Sequence, residues 1–445
     1  MRQGSVLILV TWVVVVLSLV MTTFLRESLV EARVSSYRQD SLVLRQAAES
    51  SLERVIGYLS TNETTGEDGR PLWLNDPDSF QDVAIGNVEV SIYYRDLETG
   101  ELRYGLSDEA SRIHLFSADE SMLGALPLDA LSDETDRIVD GILDWVDEDS
   151  NPRPDGAENE EYALLSPPQE PRNGLPETLS ELLLVPGVTP LVFYGEDINR
   201  NARLDANESD GEDRWPADNG DSELDPGLID YLTVYSYEKN VDSDGVKRLD
   251  INQASEEDFY SRLGSKIGSR KVNRILQVRR SVNFTSIGQL LDVPGFSSGD
   301  FKKIVDIVTV QSETFIPGRI NVVTAPPEVL AVLPGMTEEL VEELVEVRSS
   351  GEDGVDLSTI GWVLSVVGKQ RFQLIAERMT TRSSQYRIHV VARFKADDSG
   401  RRPPGMVRLR VVLDMAGTKP RFLQYQDWTH RGPVFPLEEE SYSVR

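Results

Sequence analysis

Apolar positions along this chain follow one period at its start and another further on. From Ser5 to Phe24 (SVLILVTWVVVVLSLVMTTF) no residue is charged, and a run of this length crosses a bilayer as a helix. From Leu25 to Leu59 charges enter, but Leu42, Leu44, Ala47, Ala48, Leu52, Val55 and Ile56 recur at helical spacing, without Pro and with Gly57 as the only Gly. One helix is therefore predicted to run on to about Leu59. Residues 60–76 are polar and rich in turn formers and read as a loop. The period then becomes two. Asn87–Tyr94 alternates, turns at Glu98-Thr99-Gly100 and returns as Glu101–Leu106. Alternation resumes only near the other end, in Gln385–Lys395, Met406–Met415 and Arg421–Trp428. So few strands make a marginal sheet by themselves. The early and late strands are predicted to share one antiparallel sheet packed on the helix, with residues 107–382 inserted between them. The fold class is α+β.

The inserted segment repeats itself. Arg112–Ala118 (RIHLFSA), Arg248–Ala254 (RLDINQA) and Arg319–Ala325 (RINVVTA) each read as a basic residue, a short apolar alternation, a polar residue and Ala. A second element recurs as Leu184–Val188, Asp292–Phe296 and Val332–Met336, each centred on Pro-Gly. Pro-Gly ends one helix and lets the next start at an angle, so the insert is predicted to be mainly α, built of small helical hairpins. These resemble the helix-hairpin-helix motif. That motif can hold nucleic-acid phosphate at a helix N-terminus, which makes a membrane-anchored DNA receptor of an uptake system the alternative function. Residues 246–315 are the most basic stretch, with Lys247, Arg248, Arg262, Lys266, Arg270, Lys271, Arg274, Arg279, Arg280, Lys302 and Lys303, offset by acids such as Glu256, Glu257, Asp258, Asp292, Asp300 and Asp306. A structural use of the hairpins is the expectation.

Composition narrows the chemistry. The 445 residues carry a formal net charge of -30, which disfavours non-specific binding to nucleic acid or anionic lipid by the chain as a whole. There is no Cys and there are only 3 His, so thiolate chemistry, disulfides and Cys- or His-based metal sites fall away. No motif supplies a nucleophile or a positioned base. No enzyme activity and no small-molecule substrate are expected.

The motif richest in chemistry is Asp197-Ile-Asn199-Arg-Asn201-Ala-Arg203-Leu-Asp205-Ala-Asn-Glu208. Oxygen-bearing side chains fall at loop positions one, three, five, nine and twelve, and Arg203 at position seven would offer its carbonyl. This spacing matches the calcium loop D-x-[DN]-x-[DN]-G-x5-E except for Ala202 at the sixth position, where Gly normally allows a positive φ. Calcium is the predicted cofactor, with Asp197, Asn199, Asn201, Arg203, Asp205 and Glu208 as its ligands. Two weaker acidic loops, Asp218–Asp225 and Asp144–Asn151, repeat part of the spacing.

The N-terminus admits three readings: a cleaved signal peptide, a plain anchor, or a processed pilin-like helix. The third accounts for the short leader MRQG, ending in Gly directly before the apolar run, and for the amphipathic extension. These features resemble type IV pilin-like subunits, in which a prepilin peptidase cuts after the Gly and the new N-terminus is methylated. Here the cut would fall between Gly4 and Ser5. Such subunits usually carry Glu at the fifth mature position, whereas this chain has Leu9. With Leu106–Glu109 leading into Arg112, Ile142–Asp147, Pro154–Glu158, Tyr162 and residues 319–336, the chain resembles the general secretion pathway protein K family, minor pseudopilins of type II secretion.

The resemblance implies a leader over 1–4, a transmembrane helix over 5–24 continuing to about 59, and a pilin-like sheet from 60–106 and 383–430. It implies an inserted helical domain over 107–382 and leaves an acidic tail over 431–445. It also implies a place at the tip of the pseudopilus, nucleating fibre assembly and supporting protein export across the outer membrane. The partners would be other minor pseudopilins, the major pseudopilin and the prepilin peptidase. The body would be periplasmic, held by one pass through the bacterial inner membrane, and Arg2 on the short side agrees with that orientation.

Overall fold

The structure is a computed structural model that describes residues 3–61, 64–211, 214–350, 354–397 and 404–434. The chain opens with one helix, α1 (Gln3–Leu59), of 57 residues. Its first half is exposed on all sides, and Leu7, Trp12, Leu17 and Phe24 touch nothing else in the chain that buries them. An isolated apolar helix of this kind keeps its backbone bonded internally and needs only an apolar surrounding. The second half is one-sided: Leu44, Ala47, Ala48, Ser51, Leu52 and Val55 are buried, which is the stripe that i, i+3, i+4, i+7 spacing produces.

That stripe lies on a sheet whose strands come from both ends of the chain. β1 (Val83–Ile85), β2 (Val88–Arg95), β3 (Leu102–Tyr104) and β4 (Ser107–Asp108) precede the insert. Within the insert lie only short strands: β5 (Ile113–His114), β6 (Leu232–Thr233), β7 (Tyr237–Lys239), β8 (Leu249–Asp250), β9 (Val308–Thr309), β10 (Phe315–Pro317), β11 (Ile320–Asn321) and β12 (Met379–Thr380). After it come β13 (Gln385–Phe394), β14 (Met406–Asp414) and β15 (Arg421–Asp427). The large sheet runs β1-β2-β13-β14-β15, with β3 on β2 and β4 on β13, and its pairs are antiparallel. The α+β class and the sharing of one sheet by early and late strands stand as the alternation predicts. Strand β1 was not foreseen, being too short to show a period.

Alternation explains the two faces of this sheet. Val88, Val90 and Ile92, Ile388, Val390 and Ala392, and Leu409, Val411 and Leu413 all meet α1 in one core. Trp73, from the loop before the sheet, closes it edge-to-face on Tyr386 at 5.0 Å. The opposite face carries Arg387, His389, Arg408 and Arg410, all buried or nearly so. Charged residues stay buried only when the covering layer answers them, and here the insert does. Arg387 Nε lies 2.7 Å from Glu109 Oε1 and its Nη1 donates to the Ile229 carbonyl at 2.8 Å.

The insert packs around a single apolar core reaching from Ile113 to Met379. Its order follows the repeat. Each of the three basic-led segments forms a two-residue strand, and each pairs in parallel with a strand at the end of its own unit: β5 with β6, β8 with β9, β11 with β12. Between the paired strands the second unit runs through helices Glu256–Ile267, Ser269–Arg279 and Ser298–Lys302, and the third through Pro327–Ala331, Glu338–Ser350 and Val363–Ile375.

The turns align differently from the Pro-Gly pairing. In the first turn of each unit stand Gly268 (φ +80°) and Gly335 (φ +77°); in the second stand Gly295 and Gly368 (both φ +74°). Pro334-Gly335 is thus the counterpart of Ile267-Gly268, and Pro294-Gly295 that of Val367-Gly368. The left-handed φ makes Gly the requirement, and the preceding Pro is optional.

Two of the three repeat arginines share one acceptor. Arg248 Nη1 and Arg319 Nη1 both reach Glu238 Oε1, at 2.6 and 2.7 Å, and Thr380 donates to its other oxygen at 2.5 Å. Arg112, leading the first unit, turns instead to the Asp108 carbonyl and to Ser107 Oγ. Burial works against an ionised Glu238, but Arg319 and Arg248 outweigh it and hold its carboxyl down at about 2.

Candidate metal centre

The loop that carries the calcium-type spacing starts where helix Pro190–Tyr194 stops. Gly195 has φ +74°, and a Cβ there would stand 2.2 Å from the Asp225 carbonyl. This close approach pins residues 195 and 226 together as a single antiparallel bridge. The backbone beyond it is held by three arginines. Arg200 pairs with Asp230 through two contacts of 2.5 and 2.9 Å. Arg408, from the far face of β14, donates to the carbonyls of Asn199 and Arg200, and Arg431 donates to that of Ile198 at 2.8 Å. The loop is therefore seated on the charged face of the sheet.

Its interior is arranged around carboxylates. Asp197 accepts the backbone N–H of Asn201 at 2.9 Å and of Ala202 at 2.8 Å. The side-chain amides of Asn199 and Asn201 both donate to Asp205 Oδ2 at 2.8 Å, and Asn201 Oδ1 accepts from Arg203 N–H at 2.8 Å. Glu208, almost wholly buried, turns back to accept Asp205 N–H at 2.9 Å. Ala202 takes φ +60°, the conformation that the sixth loop position demands and that Gly would adopt without cost. For Ala it costs roughly 1–2 kcal/mol.

These charges are crowded. Burial, and then Asp197, Asp205 and Glu196, push the Glu208 carboxyl up to about 7. Burial likewise raises Asp197 and Glu196. Asn199 Oδ1 is buried with no hydrogen-bond partner. Among the described residues no three Asp, Glu or His side chains converge as a metal shell. The donors are nonetheless hard oxygens around a left-handed sixth position, with one orphaned acceptor. Asp197, Asn199, Asn201, Asp205 and Glu208 would hold a calcium ion, which would neutralise their crowded charge and cross-link the loop.

The two weaker loops differ from this one. Asp218 is saturated by the N–H groups of Asp210, Gly211 and Gly220. Asp144 and Asp147 are bridged by the Arg153 guanidinium at 2.7 Å to each, so a cation of the chain's own already stands between them. Gly4 and Ser5 lie in the first turn of α1, and Leu9 sits on its exposed part with 65 % of its surface free.

The basic stretch is mostly consumed internally. Arg248, Arg262, Lys271 and Arg280 pair with Glu238, Asp242, Asp300 and Glu256. Arg274 and Arg279 donate to the carbonyls of Pro294 and Ala254, and Lys247 to that of Ser312. Lys266, Arg270 and Lys303 stay exposed on the hairpins. The hub Glu238 and the Glu109–Arg387 pair were missed in the sequence, because a buried acid looks there like any other acid.

Comparisons with known proteins agree with the resemblance. Residues 116–194 match the family model for type II secretion system protein K, and residues 3–53 match the PilX N-terminal model. A chain of the crystal structure of the GspK-GspI-GspJ complex from enterotoxigenic Escherichia coli type 2 secretion system aligns at 12% identity, covering 89% of this chain and 99% of that chain, with a TM-score of 0.40. No curated protein matches the chain.

Proposed function

We propose that this chain, which carries a protein K segment behind a pilin-type helix, acts as a minor pseudopilin at the tip of a type II secretion pseudopilus. There it nucleates fibre assembly and supports protein export across the outer membrane. The observation that carries the reading is the division of α1 into an apolar half with no partner in its own chain and a half buried on its own sheet. The first half is long and apolar enough to cross a membrane, and the same surface can pack against other subunits when the chain leaves the bilayer.

Leu9 supports the end position. A carboxylate in lipid is costly unless it meets a partner charge, and in a fibre that partner is the amino terminus of a neighbour. A subunit with Leu at this place cannot make the contact, so it suits a terminus. The inserted domain on the far face of the sheet is accommodated most simply where no further subunit has to stack on it. In this reading a prepilin peptidase releases Ser5, the body stands in the periplasm, and other minor pseudopilins and the major pseudopilin are the partners. Calcium held by Asp197, Asn199, Asn201, the Arg203 carbonyl, Asp205 and Glu208 stiffens the loop that joins insert to sheet.

Deleting the chain from its native host and counting pseudopili tests the proposal. Fewer fibres and loss of secreted protein from the medium are expected, both restored by the intact chain. Normal fibre number together with normal secretion would overturn it.

A further inference from the structure

We propose that helix Glu338–Ser350 and the groove beside it are a docking surface for a basic amphipathic segment of a partner protein, which lays an apolar residue into the groove and Lys or Arg side chains along the helix. The helix is two-faced. Val341, Leu344 and Arg348 are buried. Glu338, Glu339, Glu342, Glu343 and Glu346 are all exposed. At about 100° per residue these five fall on a single stripe. Glu338 and Glu342, Glu339 and Glu343, and Glu342 and Glu346 each stand four residues apart, and like charges at that spacing repel.

Elsewhere on the insert exposed acids carry a cation: Glu134 pairs with Arg137, Glu256 with Arg280 and Asp292 with Lys369. Among the described residues no Lys or Arg pairs with any of the five glutamates. The helix's own Arg348 is turned inward, donating to the Ala325 carbonyl and to Glu98, each at 2.6 Å. The stripe borders a groove of about 400 Å³, to which Glu343 and Val347 contribute from this helix and Trp362 and Val366 from the segment that opens helix Val363–Ile375. Val347 and Val366 are half-buried on the core of the insert. Trp362 is buried, and its Nε1–H has no hydrogen-bond partner, an arrangement that costs the full desolvation of the donor. Lys302 also lines the groove, and its Nζ is engaged by Ser365 Oγ at 2.7 Å.

Charge and shape together select the occupant. Unpaired carboxylates repel nucleic-acid phosphate and anionic lipid. A metal ion needs converging oxygens, and among the described residues no three acids converge. A neutral apolar peptide would fill the groove and leave the stripe unanswered. A basic amphipathic helix meets both: Lys or Arg at three- and four-residue spacing faces Glu339, Glu342, Glu343 and Glu346, and an apolar side chain covers Val347 and Val366. A carbonyl oxygen entering the groove with it answers the Trp362 N–H. Such a surface works whether or not the chain stands in a fibre.

Hydrogen–deuterium exchange on the full-length protein in non-ionic detergent tests this. The probe is a synthetic peptide of Leu and Lys with the lysines at helical spacing, titrated to the concentration that gives half-protection. Exchange should slow at residues 338–350 and 360–366 and stay unchanged in strand 385–394. Glu339→Gln, Glu342→Gln and Glu343→Gln combined, all at exposed positions that do not threaten folding, should raise the half-protection concentration at least about tenfold. Glu120→Gln, Glu160→Gln and Glu257→Gln combined make the same change of charge elsewhere on the insert and should leave it unaltered. A peptide with Ser in place of Leu should protect at least about tenfold less well, and high salt should weaken both. No protection at 338–350, or equal protection in the two triple variants, would overturn the proposal. Equal protection by the Ser peptide would overturn it too, since the groove would then take no part.

Discussion

Single residues decide how the candidate loop and the repeat hub behave. Ala202 holds a left-handed φ of +60°, so Ala202→Gly removes the strain and adds chain entropy to the unfolded state. The two effects oppose each other, and a net gain of about 0.5–1 kcal/mol is expected. Urea unfolding measures it, and a loss would mean that the loop does not use this conformation. Glu208→Gln keeps the shape but removes a charge from the proposed ligand set. Calcium affinity by titration calorimetry should fall at least about tenfold, equivalent to about 1.4 kcal/mol, and proteolysis between residues 195 and 230 should become insensitive to calcium. At the hub, Arg319→Ala leaves Glu238 with one of its two arginines in a buried place. A cost of about 3–5 kcal/mol is expected for breaking such a pair, against far less for Arg280→Ala in its exposed pair with Glu256.

At the scale of elements, the hub and the sheet–insert contact make the join sensitive to acid. Glu238 and Glu109 both have their carboxyls held down at about 2: burial opposes this, and the flanking arginines overcome it. A lowered carboxylate contributes stability that is present above its unfolded value, near 4.3, and is lost as pH falls through the folded value. Stability should therefore drop between about pH 4.5 and pH 2, and the drop should shrink in a Glu238→Gln, Arg319→Met double variant. Thermal melts across that range check it. The elements themselves were legible to different degrees. The long strands and α1 announced themselves because one face is buried along many residues, which enforces a period. The parallel pairing of β5 with β6, β8 with β9 and β11 with β12 did not, because two-residue strands have no period and their partners lie far apart in sequence. The Pro-Gly comparison found turns but misaligned them, since Ile267-Gly268 makes the first turn of its unit and Val367-Gly368 the second turn of the next, both without Pro.

For the whole molecule, the sequence showed an apolar anchor, a divided sheet and a repetitive insert, and these set the architecture. It did not show that the far face of the sheet would carry Arg387, Arg408 and Arg410 in burial. Alternation marks those positions as outward-facing, and only the covering insert turns that face into an interior. The candidate loop was legible by ligand spacing, whereas its seating through Arg408 and Arg431 depends on contacts more than 200 residues apart. The central claim, that this is a processed fibre subunit and not a fixed anchor, is tested most directly by the N-terminal sequence and mass of the protein purified from its native membranes. A chain that begins at Ser5 and carries a methyl group on its amino terminus is the predicted result. A chain that still begins at Met1, or one cut near residue 24 behind the apolar run, would contradict it.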